Sequence, residues 1–443
     1  MNHSRRNFIK QSLTGMAGLS LATTIPGSLH AMSSKVSAND TLNVGLIGCK
    51  GMGFANLSDH LKVPGVRCVA LCDVDKNILE SRAGDVDEST GEKPKLYKDF
   101  RRLIEQKDID IVIIGTPDHW HCLPMVMACQ EGKDVYVEKP LANSIEECNI
   151  MAAAAKKYNR VVQVGQQQRS GKHWKEAIDV IHAGRLGEIR KVHFWCNFFY
   201  GAGPTAVPDK AVPDGVDYDM WLGPAPKRPF NPNRFHGSWR MFWDYGGGLQ
   251  TDWGVHLVDM GLWALNISKP PKSVAAMGGN FASGDHACET ADTQTTIYEF
   301  DDFHLTWEHN GGIQTGPYNR HYGIAFIGNN GTIVADRDNW VLNPEVQDGN
   351  KRMEEVPKHE SDGKSHINHV ENFIDCVKSR EKPACDVEIA RRAALFTHLG
   401  NIAYRTGKKL FYDEEKNEFP YNPPANDYLV PEYRDPWNLP KIS

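Results

Sequence analysis

The sequence lacks several features that would assign it to a specialised class of protein. It has no Lys/Arg-rich run and a formal net charge of −6, so its charge gives no reason to expect nucleic-acid binding. No uncharged apolar run reaches the roughly 18 residues of a membrane-spanning helix, so we expect no membrane span. The 10 cysteines are scattered without CxxC spacing, so we expect no metal site. The 40% hydrophobic and 24% charged residues indicate a globular protein of two or three domains.

Residues 1–31 resemble an export signal. The paired Arg5-Arg6 lie in a short basic region, and a mildly apolar stretch over 12–26 follows. This order is similar to a twin-arginine signal, which moves proteins already folded. An amphipathic helix is the alternative, but the glycines of this stretch make it a poor one. We therefore expect a periplasmic protein that carries its cofactor before export.

A glycine-rich turn follows the first β-rich run. Residues 41–47 enter Gly48-Cys49-Lys50-Gly51-Met52-Gly53, then a helical pattern and a second strand that ends at Asp73. This order is typical of a dinucleotide-binding βαβ unit, in which glycines and a helix N-terminus receive the pyrophosphate. Asp73 would accept hydrogen bonds from the adenosine ribose, which favours NAD over NADP. Lys50 occupies the second glycine position, so Gly51 would supply the close approach and Lys50 could pair with a phosphate. A glycine-rich turn without a ligand is the alternative.

The same alternation continues through residue 164. Apolar runs at 109–115, 134–137 and 161–164 predict buried parallel strands, with helices between them. The loops after these strands lie at the C-terminal edge of the sheet, where ligands bind. At this edge the Lys139 ammonium can donate to a substrate hydroxyl and to the cofactor ribose. A surface ion pair of Glu138 and Lys139 is the alternative.

Asp252 and His256 are spaced four residues apart in a stretch predicted as helical through Leu265. Side chains at this spacing face one side of a helix. Histidine is the natural general base near neutral pH, and a carboxylate can hold its tautomer. Alternatively, Asp252 caps the helix and His256 packs beneath it.

Together these motifs resemble the Gfo/Idh/MocA oxidoreductase family over about residues 43–410. The motifs are Gly48 to Gly53, Asp73, Gly115-Thr116-Pro117, Glu138-Lys139-Pro140 and Asp252-x3-His256. The resemblance implies a Rossmann domain (41–164), then an α+β domain with an open, mostly antiparallel sheet (165–410). An extended tail (411–443) would follow. It also implies a nicotinamide cofactor, a carbohydrate substrate and a homo-oligomer formed through the open sheet.

The resemblance assigns roles to individual residues. Lys139, Asp252 and His256 would form the catalytic group that takes the hydroxyl proton. Cofactor contacts would come from Gly48, Lys50, Gly51, Met52, Gly53, Asp73, Thr116, Pro117, His121, Glu138 and Lys139.

The segment 200–245 is rich in aromatic residues, proline and glycine. Such a long irregular stretch is usually functional or disordered, and clustered aromatics argue against disorder. It is either a wall that stacks on sugar rings or a loop packed on the sheet or on a neighbouring subunit. Weaker candidates for substrate contacts are Arg169, Trp239, Arg240 and His321.

These features predict an NAD-dependent oxidation of a sugar ring hydroxyl, for example C3 of a pyranoside. An NAD-dependent glycosidase that works by transient oxidation and elimination starts with the same step and stays an alternative. A sensor that kept the fold without turnover is the non-enzymatic alternative. The sequence leaves the sugar, the oligomer number and the acceptor that reoxidises the cofactor open.

Overall fold

A parallel sheet organises the first half of the molecule. The computed structural model describes residues 41–282 and 284–442, so the interpretation of residues 1–31 as an export signal lies outside the described residues. The sheet has six strands in the order β3-β2-β1-β4-β5-β6, all parallel. The strands are β1 (Leu42–Ile47), β2 (Val66–Cys72), β3 (Lys95–Tyr97), β4 (Ile111–Ile114), β5 (Asp134–Val137) and β6 (Val162–Val164).

Helices connect these strands and cover both faces of the sheet, which is why the strands are almost wholly apolar. They are α1 (Met52–His60), α2 (Lys76–Thr90), α3 (Phe100–Ile104), α4 (Cys122–Gln130) and α5 (Ile145–Lys157). The strand order reverses between β1 and β4, so the loops that follow these two strands diverge and leave a crevice. This is the place where a doubly wound sheet binds its ligand.

A second, mostly antiparallel sheet follows. Its order is β16-β13-β12-β11-β7-β10-β9-β8, and only β7 and β10 pair in parallel among its strands. A Rossmann domain followed by an open antiparallel sheet was the expected fold, and it is confirmed. The strands are β7 (Ile189–Cys196), β8 (Ser273–Gly279), β9 (Thr293–Glu299), β10 (His304–Asn310), β11 (Tyr322–Gly328), β12 (Gly331–Ala335), β13 (Asn339–Pro344) and β16 (His359–Glu360), with β14 (Val346–Gln347) and β15 (Asn350–Lys351) as a separate pair.

Further helices lie between and after these strands, and several of them pack on the second sheet. They include α6 (Lys172–His182), α7 (Tyr218–Leu222), α8 (Gly248–Asp252), α9 (Gly254–Ala264), α10 (Ser365–Ser379) and α11 (Val387–Thr406). Helix α9 lies close on β7, because a Cβ added at Gly261 would lie 2.5 Å from the ring of Phe194. This contact fixes the helix that carries His256.

Segments late in the sequence complete the core of the first sheet. Phe373 and Ile374 of α10 are buried against Val44 and Ile113 of the parallel strands. In the tail, the Trp437 ring lies 4.9 Å from that of Trp120. The tail therefore packs on the body of the protein. Helix α10, which falls in the stretch predicted as the second domain, packs on the first sheet.

Candidate active site

Glycines shape the turn between β1 and α1. Gly48 has a φ of +85°, and a Cβ there would lie 2.7 Å from the carbonyl carbon of Gly115. A Cβ at Gly53 would lie 2.0 Å from the Gly48 oxygen, so the helix rests directly on the turn. At Gly51 an added Cβ would meet nothing within 4 Å, and Gly51 lines a cleft together with Lys50. The N-terminus of α1 thus opens on free space, as a pyrophosphate requires.

Asp73 ties the end of β2 to this turn. One carboxylate oxygen accepts from the Cys49 N–H at 2.7 Å and the other from the Asp75 N–H at 2.9 Å. The side chain is 7% exposed, and burial raises its pKa while the two backbone donors oppose the rise. Each oxygen keeps a second acceptor position that a ribose hydroxyl can use.

The loop after β4 supplies a further wall. Thr116 and Pro117 line the same cleft as the glycine turn. His121 does not line it: its Nδ1 lies 2.8 Å from the Pro140 oxygen and its Nε2 3.0 Å from the Thr116 oxygen. The structure places this predicted cofactor contact behind the cleft, where it joins the loops after β4 and β5.

Glu138 and Lys139 follow β5 and turn into the cleft. Glu138 accepts hydrogen bonds from Asn56 Nδ2 at 2.8 Å and from the Lys139 N–H at 3.2 Å. The Lys139 ammonium donates to the Asp252 carbonyl at 2.9 Å and to the Asp252 carboxylate. The lysine therefore bridges the first sheet to the helical layer of the second domain.

Asp252 is the last residue of α8 and the centre of a buried charge cluster. Its carboxylate accepts from Lys139 and, at 3.0 Å, from Arg240 Nε. Burial by itself would raise the pKa of Asp252, but Lys139 and Arg240 outweigh it and hold the pKa well below its usual range. Helix α9 has Trp253 as its N-cap without a side-chain cap. Capping by Asp252 is therefore not its structural role.

His256 lies in the first turn of α9 and is 3% exposed. The sequence predicted that Asp252 orients this imidazole, but the described residues contain no hydrogen bond between them, and His256 Nδ1 has no partner. The physical reason is that two short helices replace the single predicted one and that Asp252 is engaged by Lys139 and Arg240. Burial lowers the pKa of His256 well below its ordinary value, and Arg337 and Lys139 lower it further. The imidazole is therefore neutral near neutral pH and can accept a proton.

Three residues near His256 were not predicted. The Trp253 Nε1–H donates to the Tyr200 hydroxyl at 2.6 Å, and this hydroxyl donates to Asp252 at 3.3 Å. The guanidinium carbon of Arg337 lies 4.6 Å from the centre of a Trp253 ring. These residues come from separate segments and carry no shared motif. The one available signal was the position of Trp253 between Asp252 and His256.

Asp118 was also missed, although it follows the predicted Thr116-Pro117 pair. Its side chain is buried at the nucleotide cleft, and one carboxylate oxygen has no hydrogen-bond partner. Burial raises its pKa well above the ordinary value, while Arg240 and Lys139 oppose the rise. Burial therefore favours the protonated form of a carboxyl group that lines the same cleft as Thr116 and Pro117.

The four weaker substrate candidates separate into two groups. Arg240 and Trp239 line the clefts. Arg169 instead forms a buried two-pronged ion pair with Asp259, with donor–acceptor distances from 2.8 to 3.0 Å. His321 packs edge-on against Tyr322, with ring centres 4.8 Å apart. Neither Arg169 nor His321 lines the clefts that contain Lys139 and His256, and their roles as substrate contacts stay predictions.

The aromatic segment 200–245 is chiefly a packing element. Most of its rings belong to one buried cluster, and the Trp221 ring lies 4.9 Å from that of Tyr245. Trp221 and Trp239 also reach the nucleotide cleft. The buried members are Tyr218, Trp221, Phe230, Trp239, Phe242 and Tyr245.

Two adjoining clefts result from this arrangement. The nucleotide cleft extends from Gly48 and Asp73 to Lys139, and its empty space, with the solvent at its open mouth, is about 1070 Å³. The substrate cleft contains His256 and Arg337, and its empty space, counted in the same way, is about 920 Å³. The residues that line both are Met52, Glu138, Lys139 and Arg240.

Within residues 41–282 and 284–442, no group of three or more His, Cys, Asp or Glu side chains is placed to hold a metal ion. No helix in that part of the chain is long and apolar enough to cross a membrane. All 10 cysteines are free thiols.

Family models match both domains. Residues 42–166 match the Gfo/Idh/MocA model described as "Oxidoreductase family, NAD-binding Rossmann fold". Residues 185–439 match the companion model described as "Oxidoreductase family, C-terminal alpha/beta domain". The expected NAD-binding Rossmann domain is therefore confirmed.

One curated relative is a "Glycosyl hydrolase family 109 protein" of Shewanella baltica (strain OS155 / ATCC BAA-1091). The two chains are 28% identical over 207 residues, which cover 42% of this chain and 44% of the relative. The match therefore spans less than half of the relative's length.

Solved structures share the fold at low identity. A levoglucosan dehydrogenase in complex with NADH and levoglucosan superposes with a TM-score of 0.65 at 19% identity, over 84% of this chain and 99% of that one. An aldose-aldose oxidoreductase from Caulobacter crescentus, complexed with glycerol, gives a TM-score of 0.62 at 18% identity, over 84% and 99% of the two chains.

Proposed function

We propose that this chain, which belongs to the Gfo/Idh/MocA oxidoreductase family, oxidises a ring hydroxyl of a sugar or glycoside with NAD as the acceptor, for example at C3 of a pyranoside. The observation that carries the proposal is the junction of the two clefts. Lys139 lines both of them and contacts Asp252, while His256 lies in the substrate cleft. A cofactor in one cleft and a sugar in the other would meet at this lysine.

The first domain has the residues to hold the cofactor. The backbone at Gly48 and Gly51, with the Lys50 ammonium, would receive the pyrophosphate, and Asp73 the adenosine ribose. When bound, the nicotinamide supplies the acceptor for the hydride that leaves the hydroxyl carbon as it becomes a ketone. A carboxylate at position 73 repels a 2′-phosphate, so we expect NAD rather than NADP.

The second domain has the residues to remove the proton. His256 is neutral and buried, so it can take the hydroxyl proton as general base. Lys139 donates toward the substrate oxygen and stabilises the negative charge that develops there. Asp252 stays ionised and fixes both Lys139 and Arg240 in position. Catalytic roles therefore go to His256 and Lys139, and Asp252 acts through Lys139.

The proposal is tested on the purified protein. Denaturation followed by mass spectrometry should release NAD or NADH if the cofactor is bound tightly. A panel of pyranosides should then include one that yields a ketosugar with an intact glycosidic bond and one equivalent of reduced nicotinamide. A protein that holds NAD but oxidises no member of a broad panel would favour the sensor alternative.

A second candidate function is an NAD-dependent glycosidase, and the similarity to the Shewanella baltica protein favours it. Transient oxidation of the ring to a ketone acidifies a neighbouring C–H, which allows elimination of the aglycone. Water then adds to the double bond that elimination leaves, and the NADH formed in the first step would return the hydride to the ketone. Such an enzyme releases aglycone without net change in NAD. Following aglycone and reduced nicotinamide in one reaction separates the two functions.

The N-terminal sequence supports a proposal on location. We propose twin-arginine export to the periplasm, because Arg5-Arg6 begins a signal-like segment. Replacing both arginines by lysine should leave an uncleaved precursor in the cytoplasm, detected by fractionation and intact mass. Export of that variant would contradict the proposal.

The open sheet supports a proposal on assembly. Met277 is 82% exposed and Ile297 is 47% exposed on neighbouring strands β8 and β9. We propose that this face binds a second copy of the chain, because exposed apolar side chains on one sheet face are typical of an interface. Ile297→Glu should lower the oligomer mass measured by light scattering, and an unchanged mass would contradict this.

A further inference from the structure

Arg337 is a cation without a partner in the substrate cleft. It follows β12 and lines the cleft together with His256 and Trp253. Within the described part of the chain its guanidinium donates no hydrogen bond and has no carboxylate within 4 Å, and its buried Nε has no partner. An uncompensated charge at a partly buried site is unfavourable unless a ligand supplies the counter-charge.

The neighbouring carboxylates are already engaged. Asp252 binds Lys139 and Arg240. Glu138 accepts from Asn56 and from a backbone N–H. Asp336, adjacent in sequence, pairs with Arg320 at 2.6 Å. None of these three carboxylates can therefore neutralise Arg337 without breaking an existing ion pair or hydrogen bond, and Asp338, the next residue along the chain, is exposed to solvent.

Other buried arginines of the protein differ in this respect. Arg169 and Arg240 are also withdrawn from solvent, and each lies against a carboxylate at 3.0 Å or less. Burial lowers the pKa of Arg337, yet a guanidinium remains protonated at neutral pH in proteins. The charge of Arg337 therefore persists.

Trp253 fixes the orientation of this guanidinium. The indole lies under its carbon at 4.6 Å, and Tyr200 holds the indole through a 2.6 Å hydrogen bond. Stacking uses the face of the guanidinium and leaves its edge of N–H donors for a ligand. A planar guanidinium that is held in place presents parallel N–H donors, which match the paired oxygens of a carboxylate or a sulfate.

The charges of the cleft agree with an anionic ligand. Lys139, Arg240 and Arg337 are three cations, while Asp252 and Glu138 are two carboxylates. Asp118 lines the nucleotide cleft and not the substrate cleft. One positive charge therefore remains beside the general base.

We propose that Arg337 binds an oxyanion on the sugar substrate, so that the enzyme acts on pyranosides that bear a carboxylate, as in uronic acids, or a sulfate ester. This inference rests on the proposed function, because it assumes that the cleft with His256 binds a sugar. It makes Arg337 a specificity-determining residue that contacts the substrate away from the reacting hydroxyl.

Binding to the NADH-saturated protein tests the inference without requiring turnover. Calorimetric titration would compare nitrophenyl pyranosides, their uronides and their 6-sulfates, in the gluco and galacto series. We expect the uronide or the sulfate to bind roughly 10- to 100-fold more tightly than the neutral glycoside, as charge-assisted hydrogen bonds allow. Whichever anion binds more tightly identifies the source of the oxyanion.

Two variants localise the effect. Arg337→Gln should lower the affinity for the anion to that for the neutral glycoside, whereas Arg337→Lys should keep part of the preference. Arg190→Gln, at an exposed position on β7, is the control and should bind as wild type does. Equal affinity of wild type for neutral and anionic sugars overturns the inference and leaves the proposed function standing. Failure of every sugar to bind overturns both.

Discussion

The nucleotide cleft and the substrate cleft are built in different ways. The nucleotide cleft takes its principal residues from loops that follow consecutive strands, such as Gly48 after β1 and Asp73 after β2. The substrate cleft brings together Tyr200, His256 and Arg337 from segments far apart in sequence. The nucleotide cleft depends on glycines that leave free space beside the backbone, and the substrate cleft depends on buried charged side chains. Function is therefore readable locally in one cleft and only through tertiary contacts in the other.

The largest effect should come from the junction of the clefts. Lys139→Ala and His256→Ala should each lower kcat about 10²–10⁴-fold, the usual contribution of general acid–base groups. NADH affinity, measured by fluorescence titration, should stay nearly unchanged because the pyrophosphate and adenosine contacts lie elsewhere. Lys175→Ala and His182→Ala, at exposed positions of α6, are the matched controls. A loss below tenfold would remove that residue from the mechanism.

A substitution of Arg169 tests whether this residue stabilises the fold or contacts the substrate. Arg169→Met should lower the free energy of unfolding by about 3–5 kcal/mol, because it leaves the buried Asp259 without its partner. Urea unfolding measures this loss. The additional change Asp259→Leu should restore much of the stability. An unchanged stability with a raised KM for the sugar would instead return Arg169 to the list of substrate contacts.

Asp73 tests the nucleotide cleft by itself. Asp73→Ser should raise the kcat/KM for NADP relative to NAD by about tenfold, because one repulsion of about 1.4 kcal/mol is removed. Asp73→Asn removes the charge and keeps one acceptor oxygen, so it still supports one of the Cys49 and Asp75 N–H groups, whereas Asp73→Ser removes the whole carboxylate. Tighter binding of NADP than of NAD by wild type would contradict the role of Asp73.

Glu147 lies outside both clefts and should affect stability without affecting chemistry. Burial raises its pKa to about 7, although the Tyr433 and Ser144 hydroxyls donate to it. The folded protein therefore keeps a proton that the unfolded chain releases above its ordinary pKa. Its contribution to stability is complete at pH below about 4.3 and is lost as pH rises through about 7.

A non-ionising side chain checks this pH dependence. Glu147→Gln should be about 1–3 kcal/mol more stable than wild type at pH 8 and similar to it near pH 4. Thermal unfolding at both pH values measures the difference, while kcat should follow wild type at each pH. A wild-type stability that rises between pH 5 and pH 7 relative to the variant would contradict the direction.

Much of the fold was predictable from sequence. The apolar runs that become β4, β5 and β6 are fully buried, so composition alone reports their place in a parallel sheet. The packing of α10 on the first sheet was not predictable, because an apolar helical face does not say which sheet it covers. The same limit applies to the tail, whose Trp437 carries no periodic signal.

Site residues could be predicted from the sequence only where a reactive residue type also lies within a recognisable motif. Lys139, Asp252 and His256 lie where the motifs placed them, and their roles stay predictions. His121 and Arg169 bind carbonyls and a carboxylate of their own protein, and the sequence around them does not reveal such partners. Arg337 was missed because its lack of a hydrogen-bond partner depends on its neighbours in the folded protein, which the sequence does not show.

The packing of α10 and the tail on the first sheet has a consequence for synthesis on the ribosome. The strands through Val164 emerge first, and Leu57 of α1 and Leu79 of α2 cover part of the face that contains Val44 and Ile113, but Phe373 joins that cluster only later. A nascent chain therefore exposes part of this face to solvent while the second domain is being made, and such exposed apolar faces promote aggregation. Translation that stops before residue 365 leaves the first sheet without the cover that α10 provides.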